Sequence, residues 1–393
     1  MKKLPVAIVV IPTYNEADTI SEMINHLFTI TFPKIKNWHC QLLIVDDTSP
    51  DGTYKIVQQA QKKYPDLHLS LSAQKAGIGG AYVRGFRYAM SELKADVVIE
   101  FDGDFQHPPK SIPVMLTEIE KGADYVLGSR KIKGGSNPKG WGFKRLFFSE
   151  VGGFVARTIM FFPTKTFFQI TDPTTGLKAS RVKGFVDTMD MDHLYSKSFG
   201  YKIEFLFKMI KLGAKVKEIP LQFGLRMAGE SKIESKTAKD IFRSAILLRW
   251  FDDTTQKFIK FGFIGLFGFA INKIGLDVFA SLFKNLIQSV GSRNFFANAL
   301  ASEIAIISNF ILNNLWTFKN EKISSFNRLV KKFVTFNASS VVSGIVIPSV
   351  VIGLGTQIFG DQYRTLLLVI AIFGLTVPLN WFIYNHVIWK KKS

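Results

Sequence analysis

Four long apolar stretches in the last third of this 393-residue chain limit its fold more than any other feature. They run over residues 258–283, 295–316, 333–355 and 365–389. A helix crosses the hydrocarbon core of a bilayer in roughly 20 residues, so each stretch is long enough to span a membrane. The sequence therefore predicts an all-α transmembrane domain with four helices over residues 257–393.

Basic residues indicate how these spans are oriented. They cluster before the first span, between the second and third, and after the fourth, at Lys257, Lys260, Lys319, Lys322, Arg328, Lys331, Lys332, Lys390, Lys391 and Lys392. The other two loops carry fewer basic residues. Since cytoplasmic loops are enriched in Lys and Arg, we expect a multi-pass protein of the cell membrane whose termini and soluble half are cytoplasmic.

The overall charge narrows the class of partner. The 50 Lys and Arg residues against 31 Asp and Glu give a formal net charge of +19, which suits phosphates or an anionic membrane surface. The sequence contains no recognisable nucleic-acid module, and we expect no nucleic-acid partner. The single cysteine, Cys40, excludes an internal disulfide framework and indicates a reducing compartment.

The first 235 residues have a different pattern, in which short apolar runs alternate with amphipathic stretches. The runs "VAIVVI", "CQLLIV", "LHLSLS" and "ADVVIEF" predict four strands, and the stretches between them predict helices. This βαβαβαβ order predicts a mostly parallel sheet covered by helices. Residues 236–256 are expected to form an interfacial helix and linker to the transmembrane domain.

The stretch "IEFDGDFQHPP" (Ile99–Pro109) places Asp102, Gly103 and Asp104 directly after the fourth strand. Such residues can form a plain surface turn or a loose cation site without a catalytic role. They can also hold a divalent cation that binds phosphates, with Gln106 as a neutral ligand, because ligands bind beyond the carboxyl ends of parallel strands. The motif alone leaves these three alternatives open.

Neighbouring strand ends favour a ligand site. Polar clusters follow the first strand ("PTYNE") and the second ("DDTSPDGT"), so three of them should converge on one crevice. The glycine-rich "GIGGAYVRG" lacks the spacing and the Gly-Lys-Ser/Thr of a P-loop. A diphosphate site without a P-loop points to a nucleotide-sugar donor.

With these motifs, residues 5–240 resemble the family 2 glycosyltransferases of the GT-A fold, and within them the dolichyl-phosphate mannose synthase group of polyprenyl-phosphate glycosyltransferases. The resemblance is carried by "IPTYNE", "VDDTSPDGT", "FDGDFQHPP", "GSR", "DPTTG" and "FGLRMAGESK", in one order. The membrane half resembles GtrA-like four-span domains through "FGFIGLFGFAINKIGL", "NFILNNLWTF" and "PLNWFIYN".

The resemblance implies a role for each matching position. Asp102, Asp104 and Gln106 would bind Mg²⁺ or Mn²⁺ and the donor diphosphate, and Gly103 would lie in that turn. Arg226 and Lys232 would clamp phosphates from a loop, Arg130 would bind both substrates, and Asp172 would position groups near the reacting atoms. The nucleoside pocket would comprise Pro12, Tyr14, Glu16, Val45 and Asp47, and the acceptor phosphate would meet Arg130, Arg145 and Ser149.

The resemblance implies metal-dependent, inverting transfer of a sugar to a polyprenyl phosphate at the cytoplasmic membrane face, most simply of mannose from GDP-mannose. Transfer from UDP-glucose or a UDP-N-acetylhexosamine stays open, as does a lipid-carrier translocase with an accessory soluble domain. A processive synthase is disfavoured because "QxxRW" is absent. The sequence leaves the oligomeric state open.

Two further features concern the membrane. The segments Gly140–Phe162 and Lys239–Phe251 mix aromatic and basic residues, as interfacial amphipathic helices do, although packing onto the sheet is the alternative. The first span carries Lys273 and Asp277 and the second carries Glu303. Because charges within a span are costly, we expect Lys273 to pair with Glu303, Asp277 or both inside the helix bundle.

Overall fold

The structure, a computed structural model, describes residues 3–225 and 235–390. The chain divides into two compact units, Met1–Trp250 and Phe251–Ser393. The first unit thus includes the helix Ser235–Trp250, which covers most of the stretch 236–256 predicted as an interfacial helix and linker. The domain limits drawn from the sequence stay predictions.

The first unit is built on one seven-stranded sheet of order β3-β2-β1-β4-β6-β5-β7. The four strands expected from the sequence are all present and parallel. The expectation of a mostly parallel sheet is confirmed, because only β6 runs antiparallel to its neighbours. The strands are β1 Val6–Thr13, β2 His39–Asp46, β3 Leu67–Leu71, β4 Val97–Glu100, β5 Tyr125–Ser129, β6 Lys178–Arg181 and β7 Val216–Pro220.

Helices cover both faces of this sheet. Alternate residues of β1 therefore point into two separate cores, with Ile8 and Val10 in one and Val9 and Ile11 in the other. This two-sided burial explains why the strand is a continuous apolar run. The helices are α1 Ala17–His26, α2 Thr53–Gln61, α3 Gly77–Ser91, α4 Ser111–Glu120, α5 Phe143–Phe161, α6 Lys165–Gln169, α7 Tyr201–Lys211 and α8 Ser235–Trp250.

The described part of the second unit consists of helices joined by short connections. Its α-helices are α9 Asp253–Leu282, α10 Val290–Leu312, α11 Phe326–Val341, α12 Ile347–Phe359, α13 Arg364–Val369 and α14 Val377–Ile383, with π-helical turns at Asn313–Thr317, Val342–Val346, Ile370–Thr376 and Tyr384–Ile388.

Three helices of the described part are long and apolar enough to cross a membrane, namely Asp253–Asn285, Ser292–Thr317 and Ile370–Ile388. The third predicted span, 333–355, lies in helical segments that run without a break from Phe326 to Phe359 but is not among these three. The number of four spans therefore stays a prediction.

Glycines set how α9 packs on α10. A Cβ atom at Gly268 would lie 2.4 Å from Asn309, and one at Gly275 would lie 2.9 Å from the Cβ of Ala301. These two positions are seven residues apart and lie on one face of the helix. Small residues there let the two backbones approach closely.

This packing corrects the expectation for the charged residues of the spans. Lys273 does pair with Asp277, at 2.5 Å between Nζ and Oδ2, but the pair is exposed on the surface of the unit and not inside the bundle. Glu303 instead accepts a hydrogen bond from Asn337, at 2.7 Å. The predicted pairing of Lys273 with Glu303 is therefore wrong.

Candidate active site

The carboxyl ends of β1, β2 and β4 lie side by side at one edge of the sheet. Pro12 is the second-last residue of β1, Asp47 directly follows β2, and Asp102 is the second residue after β4. The structure therefore brings these three predicted site segments together, because parallel neighbours end at the same edge.

Asp46 and Asp47 have different tasks although they are adjacent. Asp46 is fully buried and accepts hydrogen bonds from Thr13 Oγ1, Ser49 N and Ser49 Oγ, each at 2.7 Å. It therefore joins the ends of β1 and β2, a structural role that the sequence analysis did not identify. Asp47 lies on the crevice side, where it binds Arg84 Nη2 at 2.7 Å and the Ala76 amide at 3.1 Å.

The residues predicted to line the nucleoside pocket differ in their surroundings. The ring of Tyr14 lies under the ammonium group of Lys75, 3.6 Å from the ring centroid, and the amide of Glu16 donates to Thr53 Oγ1. Val45 requires a correction, because its side chain is fully buried and lies toward Gly85 of α3.

The acidic turn after β4 is held by its own backbone. Asp104 accepts a hydrogen bond from the Gln106 amide at 3.1 Å, and Phe105 has a φ of 61°. His107 Nδ1 accepts a hydrogen bond from the Asp102 amide at 3.2 Å. Burial lowers the pKa of His107 to about 4, so the ring is neutral and acts as a structural acceptor.

A second segment closes on this turn. The Gly224 amide donates to the Gln106 carbonyl at 2.8 Å, and the Gln106 side-chain nitrogen donates to the Gly224 carbonyl at 3.4 Å. The beginning of the predicted phosphate-clamping loop is therefore fixed beside the acidic turn. Its cationic residues, Arg226 and Lys232, lie outside the described residues.

Arg130 and Asp172 form a bidentate ion pair next to these segments. Nε donates to Oδ2 at 2.6 Å and Nη2 donates to Oδ1 at 2.7 Å, while the Arg130 amide also reaches Oδ2 at 3.1 Å. Burial alone would raise the pKa of Asp172, but the Arg130 charge and its hydrogen bonds lower that pKa overall. Glu218 orients the segment by accepting from the Thr171 and Asp172 amides.

Aromatic rings hold the two arginines that were predicted to meet the acceptor phosphate. The Arg130 guanidinium lies 5.7 Å from the Phe223 ring centroid and 6.0 Å from that of Trp141, and Arg145 lies 4.2 Å from the Trp141 ring. Trp141 and Phe223 were not predicted as site residues. Trp141 follows Arg130 by 11 residues and Phe223 by 93, and no motif in the sequence links either aromatic residue to Arg130.

Several buried donors in this cluster have no hydrogen-bond partner among the described residues: Arg145 Nε, Ser149 Oγ and Trp141 Nε1. Burial lowers the pKa of Arg145, the nearby charge of Arg130 lowers it further, and Asp104 opposes both. Unsatisfied buried donors are costly. Two of them, Arg145 Nε and Trp141 Nε1, belong to side chains that contact each other near the Arg130 guanidinium group, where an anionic ligand could accept their hydrogen bonds.

The residues at the acidic turn fit a divalent cation bound together with an anionic ligand. Within the described ranges, no group of three or more His, Cys, Asp or Glu side chains is placed to hold a metal ion. Asp102 and Asp104 nevertheless offer hard carboxylate oxygens at one turn, and the Asp102 side chain is a quarter exposed at the strand edge. Such a pair commonly leaves the remaining coordination to water and substrate phosphates.

Comparison with known protein families identifies both units. Residues 8–196 match the family "Glycosyl transferase family 2", and residues 257–389 match "GtrA/DPMS, transmembrane domain".

Individual relatives extend these matches along the chain. A dolichol-phosphate mannosyltransferase of Pyrococcus furiosus is 32% identical over 384 residues, which cover 97% of this chain and 98% of the relative. An undecaprenyl-phosphate mannosyltransferase of Micrococcus luteus is 32% identical over 247 residues, covering 61% of this chain and 94% of the relative.

Among solved structures, glucosyl-3-phosphoglycerate synthase from Mycobacterium tuberculosis, in complex with Mn²⁺, UDP-glucose and phosphoglyceric acid, aligns with a TM-score of 0.45 and 16% identity, over 62% of this chain and 80% of that one. The sequence matches to the two families and to the full-length relative decide the assignment. The chain therefore belongs to the dolichol-phosphate mannosyltransferase family and combines a family 2 glycosyltransferase domain with a GtrA/DPMS transmembrane domain.

Proposed function

We propose that this enzyme transfers mannose from GDP-mannose to a polyprenyl phosphate of the dolichyl type, with inversion at the anomeric carbon and with Mg²⁺ or Mn²⁺, at the cytoplasmic face of the membrane. One observation carries the proposal. Arg130 and Arg145 both lie against the Trp141 ring, and Trp141 Nε1, Arg145 Nε and Ser149 Oγ, one turn after Arg145 on α5, are buried donors without a partner among the described residues. The charge of Asp104 in the acidic turn acts on Arg145. An anionic acceptor and a nucleotide-sugar donor can therefore meet here.

Asp102, Asp104 and Gln106 would hold the metal ion in this proposal. The Gln106 amide nitrogen is directed at the Gly224 carbonyl, which leaves the amide oxygen as the ligand atom. When bound, the ion orients the donor diphosphate and neutralises charge on the departing nucleoside diphosphate. Arg226 and Lys232 would assist from their loop.

The acceptor site would consist of Arg130, Arg145 and Ser149. The Arg130 side chain already donates two hydrogen bonds to Asp172 and one to Thr174. Its Nη1 makes no hydrogen bond within the described ranges, so one end of the guanidinium group remains for a phosphate oxygen. Arginine binds phosphate well because its donors are planar and permanently charged.

The chemistry of the acceptor makes a general base unnecessary. A phosphate monoester has a second pKa of about 6, so its oxygen is already ionised at neutral pH and can attack the anomeric carbon directly. Asp172 would be a poor base in any case, because Arg130 occupies both of its oxygens and lowers its pKa. We assign Asp172 to positioning Arg130, and attack from the face opposite the leaving group gives inversion.

The donor would occupy the crevice between the ends of β1, β2 and β4. Tyr14, Glu16 and Asp47 would surround the nucleoside, with Pro12 as an apolar wall. The names of the curated relatives favour mannose as the sugar, and GDP-mannose is the donor that we assign to it.

Exposed apolar side chains support docking of the first unit on a membrane surface. The inner face of α5 packs in the core through Ala156 and Met160, while its outer face and that of α8 carry large exposed side chains: Phe143, Phe147, Phe148, Val151, Phe154, Phe242, Ile246 and Trp250. We call these eight residues the apolar face. An interfacial position would let the prenyl tail stay in lipid while its phosphate reaches Arg145.

The test is transfer of labelled sugar in membranes that contain the full chain and added polyprenyl phosphate. GDP-mannose and UDP-glucose are compared as donors, with Mg²⁺ or Mn²⁺ present or removed by a chelator. We expect label to enter the lipid fraction from GDP-mannose alone and only with the metal. Equal transfer from UDP-glucose would reject the donor assignment, and full turnover in excess chelator would reject the metal.

A further inference from the structure

The ion pair between Lys273 and Asp277 lies on the outer surface of α9, where its side chains are 62% and 64% exposed. Lys260 and Lys284 bracket the apolar part of this helix, and lysines near the ends of a span mark the membrane surfaces. At 1.5 Å per residue, Lys273 lies roughly 20 Å from Lys260 and roughly 16 Å from Lys284. The pair is therefore near the middle of the span.

Charges at this depth are costly when they face lipid, and in membrane proteins they almost always face protein or a water-filled cavity. The helix α10 cannot supply that cover. It packs against the face of α9 that contains Gly268 and Gly275, and at 3.6 residues per turn this face is opposite Lys273 and Asp277. Another group within the membrane must cover the pair.

The residues along the same face have the spacing of a helix–helix seam. Gly262, Leu266, Phe269 and Lys273 follow each other at intervals of four, three and four residues, as in helices that pack side by side. We call these four residues together with Asp277 the outer stripe. Leu266 and Phe269 are 68% and 72% exposed, and a Cβ atom at Gly262 would meet nothing within 4 Å.

We propose that the outer stripe of α9 binds the outer stripe of a second copy of this chain, so that Lys273 of each copy pairs with Asp277 of the other at the centre of the membrane. A two-fold axis along the membrane normal keeps both copies in the same orientation and brings identical residues to the same depth. Lys273 of one copy then lies one turn from Asp277 of the other. The four charges cancel, and charge complementarity therefore selects a second copy as the occupant.

Cysteine cross-linking in native membranes tests the contact directly. The native protein should contribute little cross-linking of its own. Its only cysteine, Cys40, is buried, and burial raises the pKa of the thiol to about 12, so the thiol is unreactive. Leu266→Cys places a thiol on the outer stripe. Leu300→Cys is the matched control, since Leu300 is 47% exposed and precedes Ala301, which contacts α9 at Gly275.

We expect oxidation to cross-link the Leu266→Cys protein into a dimer about tenfold more than the Leu300→Cys protein, as a specific polar helix contact would require. Equal or absent cross-linking of the two would overturn the proposal. A lipid head group or a water-filled path along α9 would give that result, since neither brings two copies together.

Charge reversal then tests the pairing itself. Lys273→Glu gives each copy two acids on the stripe, and Asp277→Lys gives each copy two lysines. Combined with Leu266→Cys, each variant expressed alone should lose the cross-link about tenfold. Co-expression of the two, distinguished by different tags, should restore a mixed dimer.

Full cross-linking of either reversed variant alone, or no mixed dimer on co-expression, would contradict the exchange of charges between copies. Labelled-sugar transfer by the same membranes reports whether the variants fold. Should a reversed variant fail to fold, the comparison of Leu266→Cys with Leu300→Cys decides the proposal, because it leaves both charges in place.

Discussion

Arg130 donates two parallel hydrogen bonds to Asp172, from Nε to Oδ2 at 2.6 Å and from Nη2 to Oδ1 at 2.7 Å. The two side chains are 9% and 1% exposed. The strand end of β5 and the segment before β6 thereby become one rigid element. The guanidinium group also lies 6.0 Å from the Trp141 ring centroid and 5.7 Å from that of Phe223, and these two rings contact each other edge to face. The acceptor site that we propose depends on this arrangement.

Asp172→Asn should destabilise the first unit by about 3–5 kcal/mol, because it leaves the Arg130 charge buried without its partner. Thermal unfolding in detergent measures the effect. Asp124→Asn is the matched control, since Asp124 pairs with Arg181 at 3.2 Å but the two side chains are 17% and 34% exposed. The control should cost about 1 kcal/mol or less, and an equal loss in both variants would contradict the role of Asp172.

The ion pair between Arg130 and Asp172 should make the free energy of unfolding depend on pH. The folded protein lowers the pKa of Asp172 below its ordinary value of 3.8, so the pair stabilises the fold above that value and the contribution is lost as pH falls through the folded pKa. The difference in unfolding free energy between wild type and Asp172→Asn should therefore be constant near neutral pH and shrink below about pH 4. Unfolding curves at several pH values test this, and a difference that grows on acidification would refute it.

Arg145→Ala should raise the KM for polyprenyl phosphate by about 10- to 100-fold, the value of one or two charge-assisted hydrogen bonds, without changing nucleotide affinity. Initial rates at varied acceptor and nucleotide binding by calorimetry separate the two effects. Lys139→Ala removes a neighbouring exposed charge and should change neither. Equal loss of nucleotide affinity in Arg145→Ala would show that Arg145 serves the donor.

Asp104→Asn should abolish transfer while leaving the fold intact, because the amide retains an oxygen for the Gln106 hydrogen bond but loses the charge that a metal ion requires. Binding of Mn²⁺ in the presence of nucleoside diphosphate, followed by electron paramagnetic resonance, gives a readout independent of turnover. Unchanged Mn²⁺ binding in this variant would remove Asp104 from the metal site.

The apolar face of α5 and α8 should matter only for acceptors that are anchored in lipid. Phe147→Asp together with Phe148→Asp should reduce transfer to a long-chain polyprenyl phosphate in vesicles about tenfold or more, since burial of each aromatic side chain contributes about 1.5–3 kcal/mol. Transfer to a short, water-soluble prenyl phosphate should be unchanged. Equal loss with both acceptors would indicate a packing defect and not a membrane contact.

The sequence predicted the elements whose pattern is local. Alternating or continuous apolar runs marked β1 to β4, and their order implied a parallel sheet. The strand β6 was missed because "KASR" has no apolar run: two of its four residues are charged, and Lys178 is nevertheless fully buried, in register with Glu100 of β4. The sequence could not show that Asp46 and Asp47 have different roles. Their roles differ because the Asp46 carboxylate accepts from Thr13 and Ser49, whereas that of Asp47 accepts from Arg84 and Ala76.

The membrane charges show the same limit. Lys273 and Glu303 lie at similar heights in the helix bundle, since Asn272 donates a hydrogen bond to Ser302 at 2.7 Å. They do not pair because the rotation of α9, which is set by the contacts of Gly268 and Gly275 with α10, turns Lys273 away from that helix. Residue counting gives height along a helix axis, whereas packing decides which face is covered.

The central claim is that the enzyme transfers a sugar to a polyprenyl phosphate, and following the phosphate of the acceptor into the product tests it most directly. The full chain in membranes is given donor with ³H in the sugar and acceptor polyprenyl phosphate with ³²P, and the lipid product is isolated. If the acceptor phosphate attacks the sugar, the product carries both labels in equal amounts and the donor leaves as a nucleoside diphosphate. A lipid that contains ³H without acceptor ³²P, or release of the donor as a nucleoside monophosphate, would contradict sugar transfer to a polyprenyl phosphate.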